Sequence, residues 1–160
     1  MLKGMVPASW FVAVLGCVVL AGCTGGGKSG PPSLLTTGRV LENGQPVAIT
    51  DFSQGYNCLQ VDFYPVDATG NPGSALHFPA FVAQDGSFAI GGLEGKGIPA
   101  GKYRVAVRRW DRTKTIKPEP DGTIDTWEGK FSEKNSPFVV DCPGPAEGIV
   151  IDLAKASSKG

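Results

Sequence analysis

A single histidine, His77, stands in a chain of 160 residues, and methionine occurs twice. One histidine beside Phe78 and Pro79 reads as an ordinary loop residue, not as a base or a metal ligand. Excess charge is also missing: 15 Lys+Arg balance 15 Asp+Glu, which leaves no electrostatic ground for a nucleic-acid partner. The four cysteines, Cys17, Cys23, Cys58 and Cys142, include no pair at zinc-site spacing, and no acidic run follows calcium-loop spacing. Neither a nucleophile elbow nor a phosphate loop is present. The sequence therefore offers no catalytic residue, no metal site and no cofactor site. Long apolar runs are lacking too. The longest, Trp10 to Ala21 (WFVAVLGCVVLA), falls short of the ~18 residues of a membrane-spanning helix.

That run has the length of a secretory signal's hydrophobic region, with Lys3 ahead of it and small residues behind. It ends in Leu20-Ala21-Gly22-Cys23, which resembles the lipobox of bacterial lipoproteins. The resemblance implies cleavage between Gly22 and Cys23, a diacylglyceryl group on the Cys23 sulfur and a further acyl chain, such as palmitate, on the new amine. Each buried CH₂ then contributes about 0.8 kcal/mol to anchoring. Thr24 stands where an Asp often signals inner-membrane retention in that family, so the resemblance points to the outer membrane, with the domain facing the periplasm. Two other readings are a chance small-residue cleavage site and a cysteine inside an uncleaved anchor. Cys17, in VLGC, competes less well because Leu15 is bulkier than a lipobox prefers. Residues 1–22 are read as the signal peptide and 23–36 as the lipidated cysteine with a Gly/Ser/Pro tether. Residues 37–155 form the folded domain and 156–160 a short tail.

Gly 23 and Pro 13 punctuate short runs rich in β-branched and aromatic residues. Asn43-Gly44 marks a hairpin turn, since both residues tolerate positive φ. CLQVDFYP sets Leu59, Val61 and Phe63 against Gln60, Asp62 and Tyr64, the period of a half-buried strand. Two more strands flank Asp85-Gly86, with Phe88 and Ile90 inward. GKYRVAVRRW places Tyr103, Val105 and Val107 on one face and Lys102, Arg104 and Arg108 on the other. SPFVVDC and EGIVIDLAK supply the last two. No repeat is visible, and no helix longer than a turn or two. The pattern predicts an all-β chain, a single antiparallel β-sandwich of about seven strands.

GRVLENGQPV, DGSFAIGGLEGKGIPAGKYRVAV and KFSEKNSPFVVDC with GIVIDL together resemble the carboxypeptidase regulatory-like domain of the transthyretin/prealbumin-like sandwiches. The likeness runs from Thr37 to Leu153, and Ile98 to Val107 is its most specific stretch. It implies a non-enzymatic accessory module, because the zinc site of metallocarboxypeptidases lies in a separate catalytic domain. The transthyretin-like hydroxyisourate hydrolases use several histidines and a C-terminal Tyr-Arg-Gly-Ser; this chain ends AKASSKG.

Cys58 and Cys142 remain after cleavage at Cys23. An exported domain meets oxidising conditions, so the two are either a disulfide or separate thiols. Strand parity opposes the bridge, placing Cys142 inward and Cys58 outward. The basic run from Arg104 to Lys117 reads either as a partner-binding surface or as a solvated strand edge, neutralised by the acidic segment that follows. The stretch between Trp110 and Ser136 is long for a connection. Trp110, Arg108, Arg109 and Trp127 are its candidate partner-binding residues; the other reading has the tryptophans pin the loop to the domain. The expected role is a lipid-anchored envelope module holding an envelope protein or polysaccharide. A carbohydrate-binding module and a small transthyretin-like hydrolase are the alternatives.

Overall fold

The computed structural model describes residues 33–73, 76–112 and 124–157. The leader, Gly22, Cys23, the tether up to residue 32 and the last three residues lie outside the described residues. The described residues are all-β, with ten strands in mainly antiparallel sheets: β1 (Ser33–Leu34), β2 (Thr36–Glu42), β3 (Gln45–Pro46), β4 (Asn57–Pro65), β5 (Phe78–Val82), β6 (Ser87–Ile90), β7 (Ile98–Pro99), β8 (Gly101–Asp111), β9 (Val139–Cys142) and β10 (Ile149–Asp152). A short helix, α1 (Leu153–Ser157), ends the series. Asp152 caps it, its Oδ1 accepting the Ala154 N–H at 3.1 Å.

One four-stranded sheet runs β5-β4-β8-β9. The other is built on β2, which pairs with β10 along one side and with β3 and β6 along the other. β1 and β7 form a separate two-stranded ladder. Apolar residues at alternate positions from both large sheets meet in one core that holds Val40, Phe88, Ile90 and Ile151 with Leu59, Phe63, Val105 and Val107. Phe63 and Phe88 touch across it, their ring centroids 5.8 Å apart. The chain crosses between sheets at the turn before β6, so the two strands flanking Asp85-Gly86 pair with different partners.

The Asn43-Gly44 turn forms as its sequence indicates, with φ of 54° and 77°, and joins β2 to β3. Three expectations change. β10 lies parallel to β2, so the strands are not all antiparallel; a partner from the far end of the chain has no turn to dictate its direction. β1 already pairs with β7 at Ser33 and Leu34, which moves the start of the fold ahead of residue 37. β8 is an interior strand, with β4 along one side and, along the other, β9 at Gly101–Arg104 and then the 125–138 segment, which bonds the backbone of Val105, Val107 and Arg109. Arg104, Arg108 and Arg109 therefore do not sit on a solvated edge.

The disulfide option also falls. Both cysteines are free and buried. Cys58 is opposite Trp110 and Cys142 is opposite Gly101, at the two ends of β8. At ~3.3 Å per residue that separation is about 30 Å, whereas bridged cysteines have Cα atoms within about 7 Å. Burial pushes the Cys142 thiol up to about 11, leaving it without thiolate character at neutral pH.

The parallel pairing of β2 and β10 depends on Gly38, because a Cβ there would overlap the Ile149 carbonyl and the Phe88 ring. Gly38→Ala is expected to cost about 1–3 kcal/mol by overpacking and to lower the melting temperature by several degrees. An unchanged thermal melt would contradict this close approach.

Candidate functional site

β4 and β8 run side by side over Asn57–Pro65 and Tyr103–Asp111. Their inner rows are apolar except at one end, where Asn57, Arg109 and Asp111 stand. Their outer rows are Cys58, Gln60, Asp62 and Tyr64 against Trp110, Arg108, Ala106 and Arg104. Alternation places these side chains on the outer face correctly, yet most of that face is closed. Asp62 is 0% exposed and Arg108 3%. Arg108 Nη1 donates to Asp62 Oδ2 in a short ion pair. Gln60, directly opposite Arg108, donates to Asp62 Oδ1 at 2.8 Å, and Arg108 Nη2 donates to the Tyr64 hydroxyl at 3.3 Å. Ala106, opposite Asp62, contributes only a methyl and leaves room for the guanidinium. The His77 ring stacks on Tyr64 at 5.1 Å, and its Nε2 lies 3.7 Å from Asp62 Oδ1. Glu133 reaches over from the acidic segment to 3.6 Å from Arg108 Nη2.

Burial raises the Asp62 carboxyl above the usual carboxylate range, while Arg108, Gln60 and His77 pull it down. Burial likewise raises the Tyr64 phenol. Arg108 is thus engaged and closed off, not presented to a partner. Trp110 belongs to the same face. Phe81 stands edge-on to it at 5.9 Å and the Arg112 guanidinium lies 4.8 Å from its ring centre.

Arg109 points the other way, toward the ends of the two sheets, and there it shapes a cleft. The segment after residue 123 folds back along β8 and closes one side. Thr126 N–H donates to the Arg109 carbonyl at 2.8 Å, and Val107 N–H to the Phe131 carbonyl at 3.0 Å. Asp125 is the clamp: its buried carboxylate accepts the backbone N–H groups of Arg109 at 2.9 Å, Trp127 at 3.0 Å and Gly129 at 3.2 Å. Trp127 packs against the core with Phe131 edge-on at 5.6 Å. Residues 113–123 of the long connection lie outside the described residues.

The opposite side of the cleft is the loop between β3 and β4. The Asn57 amide donates to the carbonyls of Thr50 at 2.8 Å and Asp51 at 3.1 Å. Its Oδ1 accepts from Arg109 Nη1 at 2.6 Å, and the same nitrogen donates to the Trp110 carbonyl. Loop, amide and guanidinium are therefore fixed as one unit before any ligand arrives. Arg109 separates two recesses. One, of 520 Å³, is lined by Thr50, Asp51, Tyr56, Asn57 and Asp111. The other, of 250 Å³, is lined by Glu42, Trp127 and Lys130 over Phe131 and Leu153.

The four residues singled out from the sequence thus divide: Arg109 and Trp127 meet in the cleft, and Arg108 and Trp110 lie on the outer face of the sheet. Sequence reasoning missed Asp125, Asn57 and Tyr56. Asp125 carried a faint signal, an acid shortly before Gly129 in a turn-rich stretch; Asn57 and Tyr56 carried none. Among the described residues, no group of three or more His, Cys, Asp and Glu is placed to hold a metal ion.

No protein-family model matches the chain, and no curated protein or solved structure matches it. The buried pair gives a direct physical test. A carboxyl whose folded pKa is raised contributes its full stability below its unfolded value of 3.8, and that contribution erodes as pH rises through the folded value. Arg108 is the largest influence opposing the rise, so Arg108→Met exposes the full burial cost of the carboxylate. The variant is expected to lose about 3–5 kcal/mol at pH 7 and to recover much of it as Asp62 takes up a proton toward pH 4. Denaturant melts of both proteins across that window measure the gap; a gap independent of pH would contradict the assignment.

Proposed function

We propose that this chain is a lipid-anchored lipoprotein of the bacterial cell envelope. Its transthyretin-like β-sandwich is a non-enzymatic binding module facing the periplasm from the outer membrane. The anchor rests on Leu20-Ala21-Gly22-Cys23 directly behind the apolar run. Ser33 already pairs in β1, so little chain separates Cys23 from the folded part. Two large sheets around one core agree with the carboxypeptidase regulatory-like resemblance.

The observation that carries the binding role is the cleft around Arg109. It gathers Arg109 and Trp127 from separate segments and holds them with the Asn57 amide and the Asp125 carboxylate. Rigid support of that kind is what a recognition site needs. The module reading also fits the position of the cleft at the strand ends, where loops of different length tune a common scaffold.

Cys23→Ala separates this reading from its rivals. The native chain is expected in the membrane fraction, its mass showing loss of residues 1–22 and gain of acyl chains. The variant is expected to be uncleaved and unacylated at that site. Native material that starts at Met1, or that carries an unmodified Cys23 in the aqueous fraction, would overturn the proposal.

A further inference from the structure

We infer that the cleft around Arg109 binds the uncharged sugar units of an envelope glycan. This rests on the binding-module reading and names its ligand class. Four features of the cleft carry it.

The first is size. The larger recess, 520 Å³, lies within the range of small-ligand sites, about 300–1,000 Å³. The smaller one continues it past Arg109 and shares Ala48 with it, so the cleft accepts more than one sugar ring in sequence.

The second is charge. Glu42, Asp51 and Asp111 line the two recesses against Arg109 and Lys130. Among the described lining residues carboxylates are at least as numerous as cations, so a phosphate-rich or uronic-acid polymer gains no net attraction. An uncharged, hydroxyl-rich ligand meets a mixed set of donors and acceptors instead, and each sugar hydroxyl can use both.

The third is the planarity and rigidity of those groups. The guanidinium of Arg109 spends Nη1 on Asn57 and Trp110, while Nη2 and Nε donate to no described residue. That leaves a flat two-pronged donor, held in place, of the kind that grips adjacent oxygens. Asn57 and the pinned carbonyls of Thr50 and Asp51 fix its surroundings, so little ordering remains for binding to require.

The fourth is the aromatic surface. Tyr56 is 46% exposed on the larger recess, and its hydroxyl is tied to the Arg112 carbonyl at 3.5 Å. Trp127 borders the smaller recess. An amphipathic ring beside fixed polar groups suits the apolar C–H face and polar rim of a pyranose. Among the described residues, charged and polar groups (Glu42, Asp51, Asn57, Arg109, Asp111 and Lys130) line both recesses, unlike the apolar pocket that takes a protein partner's anchoring side chain.

The test uses the full mature lipoprotein in a detergent without a sugar headgroup. It is titrated calorimetrically with hexamers of N-acetylglucosamine, glucose and mannose, and with an oligogalacturonate as the acidic comparison. At least one uncharged hexamer is expected to bind at about 1 mM or tighter, with little dependence on salt, and the oligogalacturonate is not. Tyr56→Ala and Arg109→Gln are each expected to weaken binding roughly tenfold or more. Trp110→Phe, on the other face, leaves it unchanged. Tyr56→Ala removes an exposed side chain, so it remains informative if Arg109→Gln impairs folding. Three results would overturn the inference: no binding of any uncharged hexamer, preference for the acidic one, or binding indifferent to Tyr56→Ala. Membrane partition of the same preparations is scored separately. Anchored protein that ignores every sugar sinks the glycan alone, and sugar binding by unanchored protein sinks the anchor alone.

Discussion

The pairing of β4 with β8 constrains everything else in the domain. It joins nine residue pairs, from Asn57 with Asp111 to Pro65 with Tyr103, and almost every side chain along β4 is buried. On one face, Leu59, Val61 and Phe63 meet Val105 and Val107 in the core. On the other, Asp62 and Arg108 must find each other because neither can reach water. A shift of one residue would exchange the two rows, putting a carboxylate among the aromatic rings of the core and phenylalanine on the outer face. The ion pair is thus a register device as much as a source of stability. Replacing a whole buried pair by apolar residues is often neutral, whereas separating one charge from its partner costs several kcal/mol, so any register that parts Asp62 from Arg108 is disfavoured.

The same register fixes the cleft. Asn57 and Asp111 are paired residues at the end of the β4–β8 ladder, and both face the larger recess. Arg109 stands two residues before that end, opposite Leu59, where the inner row runs out of core to fill. A guanidinium in mid-strand at an inward position would cost several kcal/mol. At the mouth of the two sheets it is half-buried, hydrogen-bonded and still open on one side. The acidic stretch from Asp125 to Glu133 completes the arrangement, holding the Arg109 backbone from one end and meeting Arg108 with the other.

Much of the fold was legible because it follows from period two and from turn chemistry. Leu59, Val61 and Phe63, then Tyr103, Val105 and Val107, announce the inner rows, and Asn43-Gly44 announces its turn. What local pattern cannot give is which strands become neighbours. Arg104, Arg108 and Arg109 look like an exposed edge until β4 is set on one side of β8, and β9 with the 125–138 segment on the other. β10 runs parallel to β2 because a long crossover, not a hairpin, delivers it. Parity warned against pairing Cys58 with Cys142, and the distance along β8 supplies the reason. For the site, Arg109 and Trp127 were visible as residue types. Their separation from Arg108 and Trp110 is a matter of faces, and Asp125 is recognisable only once its three backbone donors have been brought together.

Native-state hydrogen exchange of the β8 amides tests most directly whether the β4–β8 ladder governs the domain. The amides of Val105, Val107 and Arg109 donate to Phe138, Phe131 and Asp125 on the side of β8 away from β4, so the alternate amides, those of Ala106 and Arg108, are the ones that face β4. The account predicts that these two exchange only through global unfolding, with the same dependence on denaturant as the whole domain. Exchange through local opening, while β2 and β10 remain protected, would contradict it.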